Sequence, residues 1–147
     1  MAPITGLGIR PYEHGLCDLG PGTWAWLQPD GGWGWSNAGL VCDGDAALLV
    51  DTLFDERLTA TMLEAMRRAE PGVAIGTVVN THSNGDHCNG NGLLPEARII
   101  ASETCALEME RERPETLAAI LREADGMGET GAYFRHCFGA FDFAGVH

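Results

Sequence analysis

The chain has 147 residues and a mass of 15.7 kDa, the size of one domain that can bury its own hydrophobic core. With 45% hydrophobic and 20% charged residues, its composition is that of a globular protein and excludes a disordered tail. Acidic residues outnumber basic ones by 21 to 9, and the net charge of −12 makes nucleic acids and anionic membrane surfaces unfavourable partners.

The N-terminal third predicts strands and turns. Thr23–Leu27 predicts a strand, and residues 28–32 predict a turn that is rich in glycine and contains a proline. Residues 38–42 and 46–51 predict a hairpin around the turn at residues 43–45. Because the second strand of this hairpin is continuously apolar, we expect it to be buried on both faces.

The middle of the chain predicts a helix and then a strand. Within residues 57–69, Leu58, Met62 and Met66 fall on one helical face, and Pro71 ends the helix. The apolar residues 73–80 predict a buried strand, which runs into a polar loop over residues 81–92.

Strands and helices continue to alternate toward the C-terminus. Residues 97–101 predict a further strand, and Ser102 is a candidate N-cap for a helix over residues 103–112. Pro114 is expected to begin another helix that extends to residue 124, with Gly126 just beyond its end. This alternation predicts an α/β fold, and since no linker or repeat divides the chain, residues 1–147 are interpreted as one domain.

The loop after the strand at residues 73–80 carries the most chemistry, because it holds His82, Asn84, Asp86 and His87 within six residues. Residues two apart in an extended segment point the same way, and Gly85 permits a turn that brings Asp86 and His87 to a neighbouring point. Imidazole nitrogens and carboxylate oxygens are the ligands of a catalytic zinc ion. The pattern favours a metal site over the alternative in which these residues only cap the next helix.

The loop resembles a known signature. Residues 82–87 read His-Ser-Asn-Gly-Asp-His, which is similar to the His-x-His-x-Asp-His motif of the metallo-β-lactamase superfamily, with Asn84 in place of the second histidine. Residues 36–40 and 48–52 also resemble the opening hairpin of that superfamily, and the resemblance covers about residues 24–102. The hairpin and the Asn-Gly-Asp-His variant look most like bacterial members related to the cyclase and thioesterase enzymes of aromatic polyketide pathways.

The resemblance implies a metal-dependent hydrolase. His82, Asp86 and His87 would be metal ligands, with Asn84 as a weak ligand or a neighbour of one. Asp51 would support the ligands from behind. Because an amide oxygen is a poorer zinc ligand than imidazole, a single zinc ion is favoured over two, with iron or manganese as alternatives.

The implied reaction is attack on a carbonyl. The zinc-bound hydroxide would attack an ester, thioester, lactone or amide of a small-molecule substrate. Asp86 would be the catalytic residue that orients the water or transfers its proton.

The resemblance also implies a missing part. The superfamily fold is an αββα sandwich of two similar halves, and its remaining ligands come from the second half. Only His136 and His147 follow His87, and neither has the setting of a ligand. We therefore expect this chain to be the N-terminal half of the fold, completed by a C-terminal polypeptide of the same protein, and the run at residues 141–147 to begin a strand.

Two other features have competing interpretations. Trp24, Trp26, Trp33 and Trp35 favour aromatic packing across the strands of a hairpin, although Trp33 is also a candidate substrate contact because this loop borders the active site in the superfamily. Cys88 is interpreted as a buried thiol rather than a ligand or nucleophile.

Three functional hypotheses follow. The first is a zinc hydrolase, the second is a cyclase or thioesterase that acts on a polyketide intermediate, and the third is a binding or scaffold protein that has lost its metal, for which Asn84 argues. Five cysteines without a pairing pattern, no signal peptide and no apolar stretch of membrane-spanning length predict a cytoplasmic protein.

Overall fold

A computed structural model of the protein describes residues 11–144 and residue 146. Within them, a six-stranded sheet has its strands in chain order from one edge to the other. Each of the first four strands is antiparallel to the one before or after it within that group, and the fourth, fifth and sixth strands are parallel to one another. The strands are β1 (Gly15–Gly20), β2 (Thr23–Leu27), β3 (Ala38–Asp43), β4 (Ala46–Val50), β5 (Ala74–Val79) and β6 (Arg98–Ile100).

The same residues form five helices and two short 3₁₀ turns. The helices are α1 (Glu56–Ala69), α2 (Gly85–Cys88), α3 (Glu103–Met109), α4 (Pro114–Glu123) and α5 (Gly128–Phe138), and the 3₁₀ turns are Asn91–Leu93 and Ala124–Gly126. The predicted α/β class is confirmed. In the described part of the chain, no helix has the length and hydropathy needed to cross a bilayer.

The hydrophobic core lies between the sheet and α1. Leu40 of β3 and Leu49 of β4 face the helix and pack with Met62, Leu63 and Met66, all of which are at most 2% exposed. Burying a side chain of this size stabilises the fold by about 1.5–3 kcal/mol. The helical periodicity predicted for residues 57–69 therefore identifies the face that α1 buries.

The opposite face of the sheet is apolar but more exposed. Leu48 and Val50 alternate with the buried residues of β4 and are only half-buried, while Val41 and Ile100 are 46% and 39% exposed. The structure of the described residues therefore buries β4 fully on the α1 face only, not on both faces as predicted.

Asp55 begins α1 and also ties it to the end of the chain. Its carboxylate, which is fully buried, accepts hydrogen bonds from the backbone N–H of Leu58 at 2.7 Å and of Asp142 at 3.0 Å. Arg57 pairs with the same carboxylate at 3.3 Å and donates to the carbonyl of Ala140. One N-cap residue thus holds both the helix and the terminal segment, which we define as residues 139–144.

The terminal segment is not the strand that was predicted. Phe141 and Phe143 are buried against Phe54, with ring centroids 4.8 and 5.0 Å from it, and Phe138 of α5 lies 6.0 Å from the same ring. These four residues form what we call the aromatic cluster. Residues 141–144 form neither strand nor helix, and their two phenylalanines pack around Phe54. Gly145 and His147 lie outside the described residues.

Other differences concern helix ends and short elements. The predicted polar loop at residues 81–92 contains α2 and a 3₁₀ turn, and the helix predicted to reach residue 112 ends at Met109. Ser102 caps α3 as predicted, accepting from the N–H of Cys105 at 3.1 Å. β1 was not predicted.

Helix α5 was not predicted either. Its two glycines suggest a break, but a Cβ at Gly131 would overlap the carbonyl oxygen of Ala124. Gly131 therefore permits a close approach rather than ending a helix. Gly126, expected just past the end of α4, lies inside a 3₁₀ turn.

Candidate functional site

The predicted site residues gather where β4 and β5 end. These strands are parallel neighbours, so their carboxyl ends meet at one edge of the sheet, and Asp51 and Thr81 follow them there. Asp51 has a φ of 62°, a left-handed conformation in which Asp is one of the better tolerated residues. The chain turns sharply at that point, and the carboxylate of Asp51 meets the loop after β5.

Asp51 is the buried centre of a hydrogen-bond network and is only 4% exposed. It accepts from the backbone N–H and the hydroxyl of Thr81, both at 2.7 Å, and from Nδ1 of His87 at 2.9 Å. Burial by itself raises the pKa of Asp51, but the hydrogen bonds from His87 and Thr81 outweigh it and lower this pKa below its ordinary value. Asp51 is therefore a carboxylate over the whole neutral pH range.

The two ring nitrogens of His87 have different partners. Because the Asp51 carboxylate can only accept, Nδ1 must carry the proton, which leaves Nε2 as the free lone pair of the neutral ring. Nε2 lies 3.5 Å from a carboxylate oxygen of Asp86. Burial tends to lower the pKa of His87, but the hydrogen bond to Asp51 and the charges of Asp86 and Asp51 raise it above its ordinary value.

His82 and Asn84 are less constrained. The ring of His82 lies over that of His87 with 3.8 Å between centroids, and its Nδ1 is 2.9 Å from the hydroxyl of Thr81. Asn84 is exposed and precedes α2 without making a side-chain cap hydrogen bond. The structure therefore brings His82, Asp86 and His87 together, with Asn84 at the edge of the group.

A second set of polar residues, which sequence reasoning missed, fixes the turn. The carbonyl of His87 accepts from the side chain of Asn80 at 2.7 Å and from the backbone N–H of Thr52 at 2.9 Å. The amide of Asn91 donates to Asn80 at 2.8 Å, and the buried hydroxyl of Ser36 donates to the carbonyl of Asp86. A polar residue directly after a buried apolar strand, as Asn80 is, was the signal that could have identified this network.

The donors fit a zinc ion by type but not by number. Imidazole nitrogen and carboxylate oxygen are preferred zinc ligands, and a catalytic site normally takes three protein ligands. Among the residues that the structure describes, no three His, Cys, Asp or Glu side chains are arranged to hold a metal ion. His136 is exposed on α5, and His147 lies outside the described residues. The described donors therefore make an incomplete site.

A cavity of about 640 Å³ adjoins these donors. His82, Asn84 and Asp86 line it on the side of the turn, and residues 111–113 line it before α4. Apolar residues of the aromatic cluster, α4 and the loop before β3 form most of the remaining wall. Trp33 belongs to this lining and is 66% exposed, whereas Trp35 packs 4.9 Å from Phe141. The tryptophans thus separate: Trp24 and Trp26 of β2 pack against the core, so a single packed group across a hairpin is not what forms.

Cys88 contributes no reactive group. Burial raises the pKa of its thiol to about 12, with smaller contributions from Cys105 and the neighbouring carboxylates. Its sulfur lies 3.3 Å from the carbonyl of Ser83. A thiol that stays protonated at neutral pH is a poor nucleophile and a poor ligand.

A family model decides the identity of the fold. The model of the metallo-beta-lactamase superfamily matches residues 31–134, which is more than half of the chain. The chain belongs to the metallo-beta-lactamase superfamily. Members of this superfamily are generally metal-dependent hydrolases. No curated protein sequence gives a significant match.

Solved structures agree with the superfamily assignment. The metallo-beta-lactamase from Hirschia baltica is 25% identical with a TM-score of 0.52, over 69% of this chain and 48% of its own. FIM-1 from Pseudomonas aeruginosa, solved in a mono-zinc form, is 25% identical with a TM-score of 0.50, over 65% and 45%. TMB-1 is 22% identical with a TM-score of 0.53, over 65% and 46%, and shows the fold alone.

This metallo-beta-lactamase-fold chain spans a little under half the length of the structures that it matches. The matches show the superfamily and do not single out the cyclase and thioesterase branch.

Proposed function

We propose that the chain is the N-terminal part of a zinc-dependent hydrolase that acts on a small-molecule carbonyl compound. The observation that carries the proposal is the state of His87. Asp51 holds the Nδ1–H of this ring, and the free Nε2 lies beside the carboxylate of Asp86 where two parallel strands end. A histidine oriented in this way by a buried carboxylate is the common arrangement of a metal ligand.

Each residue of the turn has a distinct role in this proposal. A zinc ion in this place would polarise a carbonyl and acidify a water. His87 and Asp86 would hold the ion, with His82 as a further donor and Asn84 as a weak one. Asp51 keeps His87 in the tautomer that presents Nε2, and Asp86, which lines the cavity, would orient the attacking water or take up its proton.

We also propose that a further segment of the same protein completes the site. The chain spans under half of the matched structures, and the described donors fall short of a full ligand set. The sheet face opposite α1 presents Val41 and Ile100 to solvent, as expected of a surface that another part of the fold covers. That segment would bring the remaining ligands.

Zinc binding by the full-length protein tests the proposal directly. We expect isothermal titration to give at least about tenfold weaker zinc binding for His87→Ala, because this change removes a proposed ligand and leaves the buried carboxylate of Asp51 without it. His136→Ala is the matched control, since His136 is exposed on α5, and should bind as the wild type does. Hydrolysis of ester, thioester, lactone and lactam panels by the zinc-loaded protein then identifies the bond attacked.

Asn84, which stands where the superfamily motif has its second histidine, favours a second candidate, a binding protein that has lost its metal. Equal zinc titrations for the wild type and His87→Ala, or no zinc uptake by the full-length protein, would support that candidate and reject the hydrolase.

Position 84 provides a gain-of-function test. We expect Asn84→His to increase zinc affinity or raise the number of ions bound, because imidazole is a better zinc ligand than an amide oxygen. The free energy of unfolding of the metal-free protein should change by less than about 0.5 kcal/mol, since Asn84 is exposed. Unchanged zinc uptake would mean that residue 84 does not face the ion.

A further inference from the structure

We infer that the cavity beside the turn holds an uncharged, apolar acyl arm of the substrate, so that the enzyme selects carbonyl compounds by the size of that arm. The inference rests on the proposed function and names its substrate class. Its basis is the composition, charge and packing of the cavity walls.

The walls of the cavity are aromatic and aliphatic. The volume of about 640 Å³ lies within the range of roughly 300–1,000 Å³ that small-molecule sites occupy. The apolar part of the lining consists of Trp33, Phe54, Leu117, Ile120, Phe138 and Phe143. A surface of this kind binds an apolar group by removing it from water.

The reacting end and the apolar walls belong to one cavity. His82 and Asp86 line it from the turn, whereas the apolar side chains come from Phe54 before α1, from α4 and α5, from the terminal segment and from the loop that holds Trp33. A substrate whose carbonyl lies at the turn therefore has the apolar walls within reach of its non-reacting part.

The charges of the lining balance. Arg111 and Arg113 line the cavity together with Glu112 and Asp86, which leaves no excess of either sign. These charged side chains come from the turn and from residues 111–113 between α3 and α4, so the walls formed by the aromatic and aliphatic side chains carry no charge of their own. The lining therefore favours an uncharged arm.

The packing behind the walls keeps the cavity open. A Cβ at Gly34 would overlap the ring of Phe54, and one at Gly85 would lie 2.9 Å from the same ring. Phe54 is thus fixed between two backbone segments and the phenylalanines of the aromatic cluster. A wall that is already packed costs little to organise when a ligand enters.

A series of unreactive neutral ketones tests the inference without requiring catalysis. Isothermal titration of the full-length, metal-free protein with 2-pentanone, 2-heptanone, 2-nonanone and 2-undecanone should show affinity that rises about fourfold per methylene until the cavity is full, which follows from about 0.8 kcal/mol per buried CH₂. Affinity that does not depend on chain length would overturn the inference.

Two variants that fill the cavity test whether the ketones bind there. Ile120→Trp narrows the cavity and should remove the dependence on chain length, and Thr116→Trp, on an exposed lining residue, does the same with less risk to folding. Leu107→Trp is the control, because Leu107 is 50% exposed on α3 and outside the lining. If both filling variants bind the ketones as Leu107→Trp does, the arm does not occupy this cavity.

The ketone titration and the zinc experiments fail independently. Chain-length-dependent ketone binding with no zinc uptake rejects the hydrolase but leaves an apolar ligand site. Zinc-dependent hydrolysis with equal kcat/KM for short and long acyl esters would reject the inference of an apolar arm and leave the proposed hydrolase in place.

Discussion

Two regions border the cavity, and different forces hold them. The turn from Thr81 to Asn91 is fixed by directional hydrogen bonds that converge on Asp51 and on the carbonyl of His87. The aromatic cluster is held by ring packing around Phe54, with centroids 4.8 to 6.0 Å from it. The turn orients the candidate metal ligands, and the aromatic cluster sets the size of the cavity.

The difference predicts how each region responds to change. A typical hydrogen bond contributes about 0.5–1.5 kcal/mol net but defines an orientation, so changes in the turn should alter chemistry more than stability. Loss of a buried aromatic ring removes a large apolar area and leaves a void, so changes in the cluster should alter stability and the size of the cavity.

The largest effect is expected for Phe54→Ala. Phe54 is 9% exposed and touches three other phenylalanines, so its loss should lower the free energy of unfolding by about 3–5 kcal/mol in urea denaturation. Tyr133→Ala is the control, because Tyr133 is 55% exposed on α5. A loss below about 1 kcal/mol would show that the cluster does not hold α5 and the terminal segment in place.

An intermediate effect is expected for Asp55→Ala, which tests the link between α1 and the terminal segment. The change leaves the N–H groups of Leu58 and Asp142 without their acceptor, and should cost about 2 kcal/mol. Hydrogen exchange should accelerate at both amides. Asp125→Ala is the matched control, since the side chain of Asp125 is 86% exposed, and exchange that is slow at residue 142 in both variants would contradict the link.

The contrast between the two regions also explains which site residues could be predicted from the sequence. The motif from His82 to His87 is local, so its spacing alone brought the candidate donors into view. The partners of His87 come from two other segments, one with Asp51 and Thr52 and one with Asn80, and of these residues only Asp51 was predicted, through a family resemblance.

The fold could be predicted where buried residues recur along the sequence at the spacing of a helix or a strand. Helix α1 shows this spacing clearly, because its apolar face packs against the core, whereas β5 was predicted from an apolar run and buries only Val78 fully. The terminal segment has no such period, since Phe141 and Phe143 pack on Phe54, nearly ninety residues earlier. A contact between residues so far apart in the sequence leaves no local pattern. The sequence therefore predicts a strand where none forms.

Among the changes that compare the two regions, Asp51→Asn is expected to have the smallest effect on stability and the most specific one. Asn tolerates the left-handed φ of 62° at this position, so the substitution removes a charge without requiring a new backbone. In the metal-free protein the pKa of His87 lies above its ordinary value of 6.5, so protonation of this ring adds stability that is complete below that value and disappears as pH rises through the folded-state pKa.

Without the Asp51 carboxylate, most of the stability that protonation of His87 adds should be lost. The difference in the free energy of unfolding between the wild type and Asp51→Asn, about 1–2 kcal/mol below pH 6.5, should therefore shrink as pH increases. NMR titration of the His87 ring should show its pKa falling in the variant, while Asp43→Asn, at the exposed end of β3, leaves it unchanged. An unaltered His87 pKa in Asp51→Asn would mean that the hydrogen bond at 2.9 Å does not govern this ring, and the orientation argued for Nε2 would lose its cause.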